Sequence, residues 1–221
     1  MSKENRKGWI LSLYLFILFV CYTLLLRTVD VKPVGPEGSK VGFATINMAI
    51  FNMTGFNDIC YTISKYLGYV AFLVIALFAF MGVYQLVKRK SFAKVDKDLY
   101  VLAGFYVLVG AVYVLFEKII INYRPLIMDP QEGLEASYPS SHTVLALCVF
   151  ATAAINFARK VEEKNLRNVL VIGSMILMIV MVVTRFLAGC HWTTDIVGGI
   201  ILSGFLVTIF NNTIAMINKR N

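Results

Sequence analysis

Three features of this chain predict an all-α integral membrane protein, with six transmembrane helices and short interfacial helices between the first and second. Hydrophobic residues fill 58% of its 221 positions and charged residues only 15%, against roughly 45–50% and about 25% in soluble domains. Six apolar runs stand out, at 9–26, 67–87, 99–116, 143–157, 169–183 and 196–217. Most approach the roughly 20 residues that cross a bilayer's hydrocarbon core. No repeat, low-complexity tract or soluble appendage interrupts them, so residues 1–221 read as one domain.

The first run follows "MSKENRK" and is not succeeded by a small-x-small cleavage site, so it reads as a retained helix rather than a removed leader. After it, "VDVKPVGPEGSK" carries two prolines and two glycines and reads as an irregular loop. Residues 41–64 then mix apolar residues at helical spacing with Asn, Thr and Asp. That pattern predicts one or two short helices lying in the membrane interface. The second and third runs are joined by "KRKSFAKVDKD", a basic cluster that fixes topology, and the fourth and fifth by "RKVEEKNLR", a solvated turn. Four cysteines, at 21, 60, 148 and 190, show no paired spacing and suggest no metal site.

Lysine and arginine placement orients the bundle. With both termini cytoplasmic, the inner segments hold Lys3, Arg6, Lys7, Lys88, Arg89, Lys90, Lys94, Lys97, Arg159, Lys160, Lys164, Arg167, Lys219 and Arg220, 14 of the 21 basic residues. The net charge of +8 is then mostly a matter of topology. No basic face on a soluble fold is visible, which sets nucleic acid aside as a partner.

The polar chemistry gathers in the two remaining outer connections. "EKIIINYRPLIMDPQEGLEASYPSSHT" and "TRFLAGCHWTTD" contain both histidines of the chain, His142 and His191, and two arginines, Arg124 and Arg185, at the ends of apolar runs. Ionisable groups at membrane depth are costly and mark function by default. His191 and Asp195 stand four residues apart, one helical turn, a spacing that predicts a hydrogen bond from the imidazole Nδ1–H to the carboxylate. Such a pair leaves Nε2 free as a nucleophile or base. "YPSSHT" reads as a helix start, with Pro139, Ser140 and Ser141 ahead of His142, and a helix N-terminus is an anion site. Two guanidinium groups beside it suit phosphate oxygens.

These residues together resemble the three-part signature of the type 2 phosphatidic acid phosphatase family, the lipid phosphate phosphatases: K-x6-R-P, then P-S-G-H, then S-R-x5-H-x3-D. The chain has Arg124-Pro125, then Pro139-Ser140-Ser141-His142, then Thr184-Arg185, five residues, His191, three residues, Asp195. Thr184 replaces the serine of the third part conservatively, and two further positions depart from the pattern. Glu117 stands where the family has lysine; the nearest lysine, Lys118, comes one position later, about 100° further round a helix. Ser141 replaces a glycine.

The resemblance implies a metal-independent phosphatase with no cofactor. His191 attacks phosphorus and becomes a phosphohistidine, Asp195 orients it, and His142 protonates the leaving oxygen and then activates water. Arg124, Arg185, Ser140 and Ser141, with Lys118 as the nearest stand-in for the lysine, hold the phosphoryl oxygens. The implied partners are membrane lipids and a lipid phosphate substrate: phosphatidate, phosphatidylglycerol phosphate or a polyprenyl pyrophosphate. The expected setting is the outer face of the plasma membrane. Two alternatives stay open: a phosphotransferase of the same fold, and a non-catalytic lipid-phosphate binder or transporter.

Overall fold

A computed structural model describes residues 3–218; Lys219, Arg220 and the side chain of Lys3, counted above among the cytoplasmic cations, lie outside the described residues. Among the described residues, seven α-helices follow one another: α1 (Lys3–Thr28), α2 (Ala44–Thr54), α3 (Asp58–Arg89), α4 (Lys97–Lys118), α5 (Ser141–Lys160), α6 (Lys164–Ala188) and α7 (Thr193–Asn218). All but α2 are long and apolar enough to cross a membrane, and the six form an integral membrane bundle.

The outward faces of these helices are studded with exposed Leu, Ile, Val, Phe and Tyr, among them Ile10, Leu73, Phe80, Val107 and Val169. Lipid is the solvent such a surface requires. Inside, α5 and α7 form the centre of the bundle, with α1 packed on α7 and α6 on α5. α5 buries an almost continuous face, including Val144, Cys148, Val149, Phe150 and Ala153. Small and slim residues on that face let α3, α6 and α7 approach it closely.

The segment between the first two spans carries a short helix, as expected. Within 41–64, α2 is the separate helix and residues 58–64 are the first turns of α3; a single 3-10 turn, Pro36–Gly38, precedes them. Gly55, at φ 62, ends α2 because a side chain there would be strained. Asn57 restarts the chain by accepting the Cys60 amide proton on its side-chain oxygen, an N-cap. α2 is fastened to the bundle through Asn47, which is buried and donates to the Thr194 hydroxyl and the Gly42 carbonyl, both at 2.9 Å.

One end of the bundle collects the end of α4, the starts of α3, α5 and α7, and the end of α6. The opposite end carries the basic connections. There Asp96 joins Arg89 and Lys160 at 2.9 and 3.1 Å. Although partial burial acts against ionisation, hydrogen bonds from Arg89, Gln85 and Lys160 bring its pKa down to about 2. All four cysteines are free.

Candidate active site

The α4–α5 connection has no helix, yet it is ordered by a short antiparallel pairing. Arg124 N–H donates to the Glu135 carbonyl and Ser137 N–H to the Asn122 carbonyl, with Tyr123 facing Ala136 between them. This pairing carries Asn122, Arg124 and Ser137 to the start of α7. The α6–α7 turn is fixed from the other side. Gly189 ends α6 at φ 64, and a Cβ there would lie 1.9 Å from the Gly55 carbonyl oxygen, so only glycine permits the contact. The turn delivers Cys190, His191 and Trp192 as buried residues, and the Trp192 indole N–H donates to the Tyr123 carbonyl at 2.8 Å.

His191 and Asp195 do converge, but the direct hydrogen bond expected from their spacing is replaced by a bridged one. The Ser137 hydroxyl lies 2.6 Å from Asp195 Oδ2 and 2.9 Å from His191 Nδ1. The Ser137 carbonyl lies 3.1 Å from the same nitrogen. A carbonyl only accepts, so Nδ1 carries the imidazole proton, and the serine hydroxyl passes its own proton toward the carboxylate. The physical reason is that Asp195 is fully buried and already held by other donors. Asn122 Nδ2 reaches Oδ1 at 3.0 Å, and the Trp192 amide reaches Oδ2 at 3.1 Å. Ser137 and Asn122 went unseen in the sequence because their contacts join positions 54 to 73 residues apart.

Arg185 is the centre of the arrangement. It is 0% exposed. Its Nη2 donates to His191 Nε2 and to His142 Nδ1, both at 3.1 Å, and its Nη1 donates to the Ser64 hydroxyl at 3.1 Å. The Tyr61 ring lies 5.7 Å from the guanidinium carbon. Its Nε–H has no hydrogen-bond partner, and no carboxylate among the described residues forms an ion pair with it. Both acceptor nitrogens must be unprotonated to receive these bonds. His191 is accordingly held neutral: burial above all, then the Arg185 and Arg124 charges and the His142 ring, keep its pKa well below the ordinary histidine value.

The remaining expected residues are placed unequally. Arg124 pairs with Glu135, Nε to Oε2 at 3.0 Å, and stays within electrostatic reach of both histidines. Ser140 is buried, its amide donates to the Asp195 carbonyl at 3.0 Å, and its hydroxyl accepts from Thr143. Ser140 therefore ties α5 to α7, and the first-turn amides of α5 that lack a helical partner begin at Ser141. Lys118 is exposed and does not line the cavity described next.

A cavity of about 470 Å³ opens beside the histidines, between α3, α4 and α5. Ser137, Ser141, His142 and His191 form its polar end, with Lys65 and Glu117. Phe72, Ile75, Val109, Val144 and Leu145 line the rest. At Gly68 a Cβ would sit 3.2 Å from His142 Cδ2, so this glycine lets α3 lie directly against the imidazole.

Residues 66–219 match the PAP2 superfamily. No curated protein matches the chain. Among solved structures, it is similar to a transmembrane PAP2-type phosphatidylglycerolphosphate phosphatase from Bacillus subtilis. The two share 17% identity at a TM-score of 0.64, over 94% of this chain and 97% of that one.

Proposed function

The chain belongs to the PAP2 superfamily, and from that membership we propose that it is a lipid phosphate or pyrophosphate phosphatase with His191 as its nucleophile. The observation that carries the reading is the unpaired charge of Arg185. A fully buried cation is strongly unfavourable unless an anion compensates it. This one lies between two neutral imidazoles with a free Nε–H. A phosphoryl group entering there supplies the missing anion and meets the lone pair of His191 Nε2.

The steps follow from the hydrogen bonds. Arg185 turns its Nη2 donors from the imidazoles to the phosphoryl oxygens, which frees Nε2 for in-line attack. The P–N bond forms as the P–O bond to the lipid breaks; His142, its Nδ1 released by Arg185, has taken up a proton from solvent beside the phosphate charge, and as an imidazolium it gives a proton to the departing oxygen and returns to neutral. Positive charge developing on His191 is stabilised through Nδ1–H, the Ser137 oxygens and the Asp195 carboxylate. In the second half, His142 takes a proton from water, whose oxygen attacks phosphorus, and inorganic phosphate leaves as the P–N bond breaks. The residues supply positioning and charge themselves, so activity is expected to survive EDTA.

The lipid nature of the substrate is supported by the apolar lining below the polar end of the cavity. We place the site on the outer face of the plasma membrane with both termini cytoplasmic and residues 1–221 acting as a single domain. The support is that the site lies at the bundle end opposite the basic Lys88–Lys97 and Arg159–Lys164 connections. The test is purified protein in detergent with EDTA, offered phosphatidate, phosphatidylglycerol phosphate and a polyprenyl pyrophosphate beside His191→Ala. Phosphate release by the wild type that disappears in the variant supports hydrolysis. Transfer of label to a second lipid instead of water identifies a phosphotransferase, and binding without turnover identifies a binder.

A further inference from the structure

The walls of the cavity are two helical stripes. On α3, Lys65, Gly68, Tyr69, Phe72 and Ile75 line it, an i, i+3, i+4, i+7, i+10 series. On α4, Tyr106, Val109, Gly110, Tyr113 and Glu117 line it at the same kind of spacing. Ile75 and Tyr106 mark one end, so Lys65 and Glu117, 10 and 11 residues away, reach the other end at about the same height, roughly 15 Å along the helices. Position 117 thus faces the site, where the signature has a lysine, but it carries a carboxylate. Lys118, one step round α4, is off the stripe.

The missing cation is found on the facing wall. Lys65 is flanked by the two α3 residues that touch the catalytic groups: Ser64, which accepts from Arg185, and Gly68, which lies against His142. Lys65 lies within electrostatic reach of His142. No carboxylate among the described residues forms an ion pair with it, and Glu117 is instead associated with Tyr113 on its own helix.

We propose that Lys65 binds the substrate phosphate from α3, in the part that the signature gives to a lysine at position 117 on α4. The cation has been transposed across the cavity. Glu117, left on the old wall, keeps substrate phosphate toward the α3 side. The inference rests on the phosphatase reading for its substrate, but not for its geometry.

Charge transposition is the test. In detergent, with short-chain phosphatidate as substrate, Lys65→Met is expected to lower kcat/KM by about ten-fold or more, the effect of one charge-assisted contact. Glu117→Lys added to Lys65→Met returns the cation to the α4 wall and is expected to recover most of the loss. Lys65 is exposed, so these changes leave the packed core alone. Unchanged kcat/KM in Lys65→Met overturns the proposal, as does a loss that Glu117→Lys does not recover. Binding of orthovanadate, followed by the shift in thermal unfolding, reads the same pocket without turnover. A wild type that binds orthovanadate more than ten-fold tighter than Lys65→Met supports the role of Lys65 even if no lipid is hydrolysed, an outcome that removes the phosphatase reading alone. Equal orthovanadate affinity in the two proteins overturns the role of Lys65 whatever the activity.

Discussion

Asp195 and His191 are joined through Ser137, whose hydroxyl is 2.6 Å from the carboxylate and 2.9 Å from the imidazole Nδ1. Ser137 also offers its carbonyl to the same nitrogen, so the ring keeps its tautomer by a backbone contact that no side-chain change removes. The hydroxyl has the separate task of connecting the developing imidazolium to a buried negative charge. Ser137→Ala therefore keeps His191 in place and, on the proposed mechanism, weakens its support. We expect kcat to fall about ten- to a hundred-fold with little change in KM. Steady-state kinetics on a single lipid phosphate checks it.

Asp195→Asn tests the carboxylate. The three groups around it, Ser137 Oγ–H, Asn122 Nδ2 and the Trp192 amide, are all donors to it. An amide NH2 turned toward any of them places donor against donor in a buried site. We expect a loss of about 2–3 kcal/mol in stability, together with a larger fall in kcat than in Ser137→Ala. Thermal unfolding in detergent and turnover rates measure the two effects independently.

Arg185→Met separates function from stability. Removing a buried charge that no carboxylate neutralises relieves an unfavourable burial, while the thioether fills part of the space. The variant is expected to be as thermally stable as the wild type without phosphate, and at least about a hundred-fold less active. Orthovanadate should raise the unfolding temperature of the wild type and leave that of the variant unchanged. Scanning fluorimetry with and without the anion provides the comparison.

The lowered His191 pKa makes stability depend on pH. Protonation is favoured in the unfolded chain, where the ordinary value of about 6.5 applies, and opposed in the folded protein. Between that value and the lower folded one, the unfolded state binds more protons, so this residue's contribution to stability rises with pH and is lost on acidification. Just below pH 6.5 the folded protein keeps His191 neutral. With two histidines in the chain, 15N-histidine labelling resolves each ring. Expected are an Nδ1–H signature for His191 and no titration midpoint near 6.5.

Much of this site was written in the sequence because its ligating residues are close in the chain. Arg185 lies in the last turn of α6, Asp195 in the first turn of α7 and His191 in the short connection between them, and their spacing alone places them together. His142 was legible as a helix-start residue. What stayed hidden depends on which helix faces which. Ser64, Lys65 and Gly68 lie on α3 at and just before the start of its apolar run, in no motif, and they acquire meaning only when α3 packs against α5 and α6. Glu135, the partner of Arg124, depends on a loop pairing that periodicity does not reveal. The fold was legible as six spans from hydropathy, while the start of α3 was not, because Asn57 caps a helix that begins well before its apolar stretch.

If His191 carries the phosphoryl group as proposed, the phosphorylated protein can be trapped. Protein mixed with lipid labelled at the transferred phosphorus is quenched in base within milliseconds, digested and mapped. An acid-labile, base-stable label is expected on Nε2 of His191 and is expected to be missing from His191→Ala. Steady turnover with no label on His191, or with label on any other residue, would contradict the proposal.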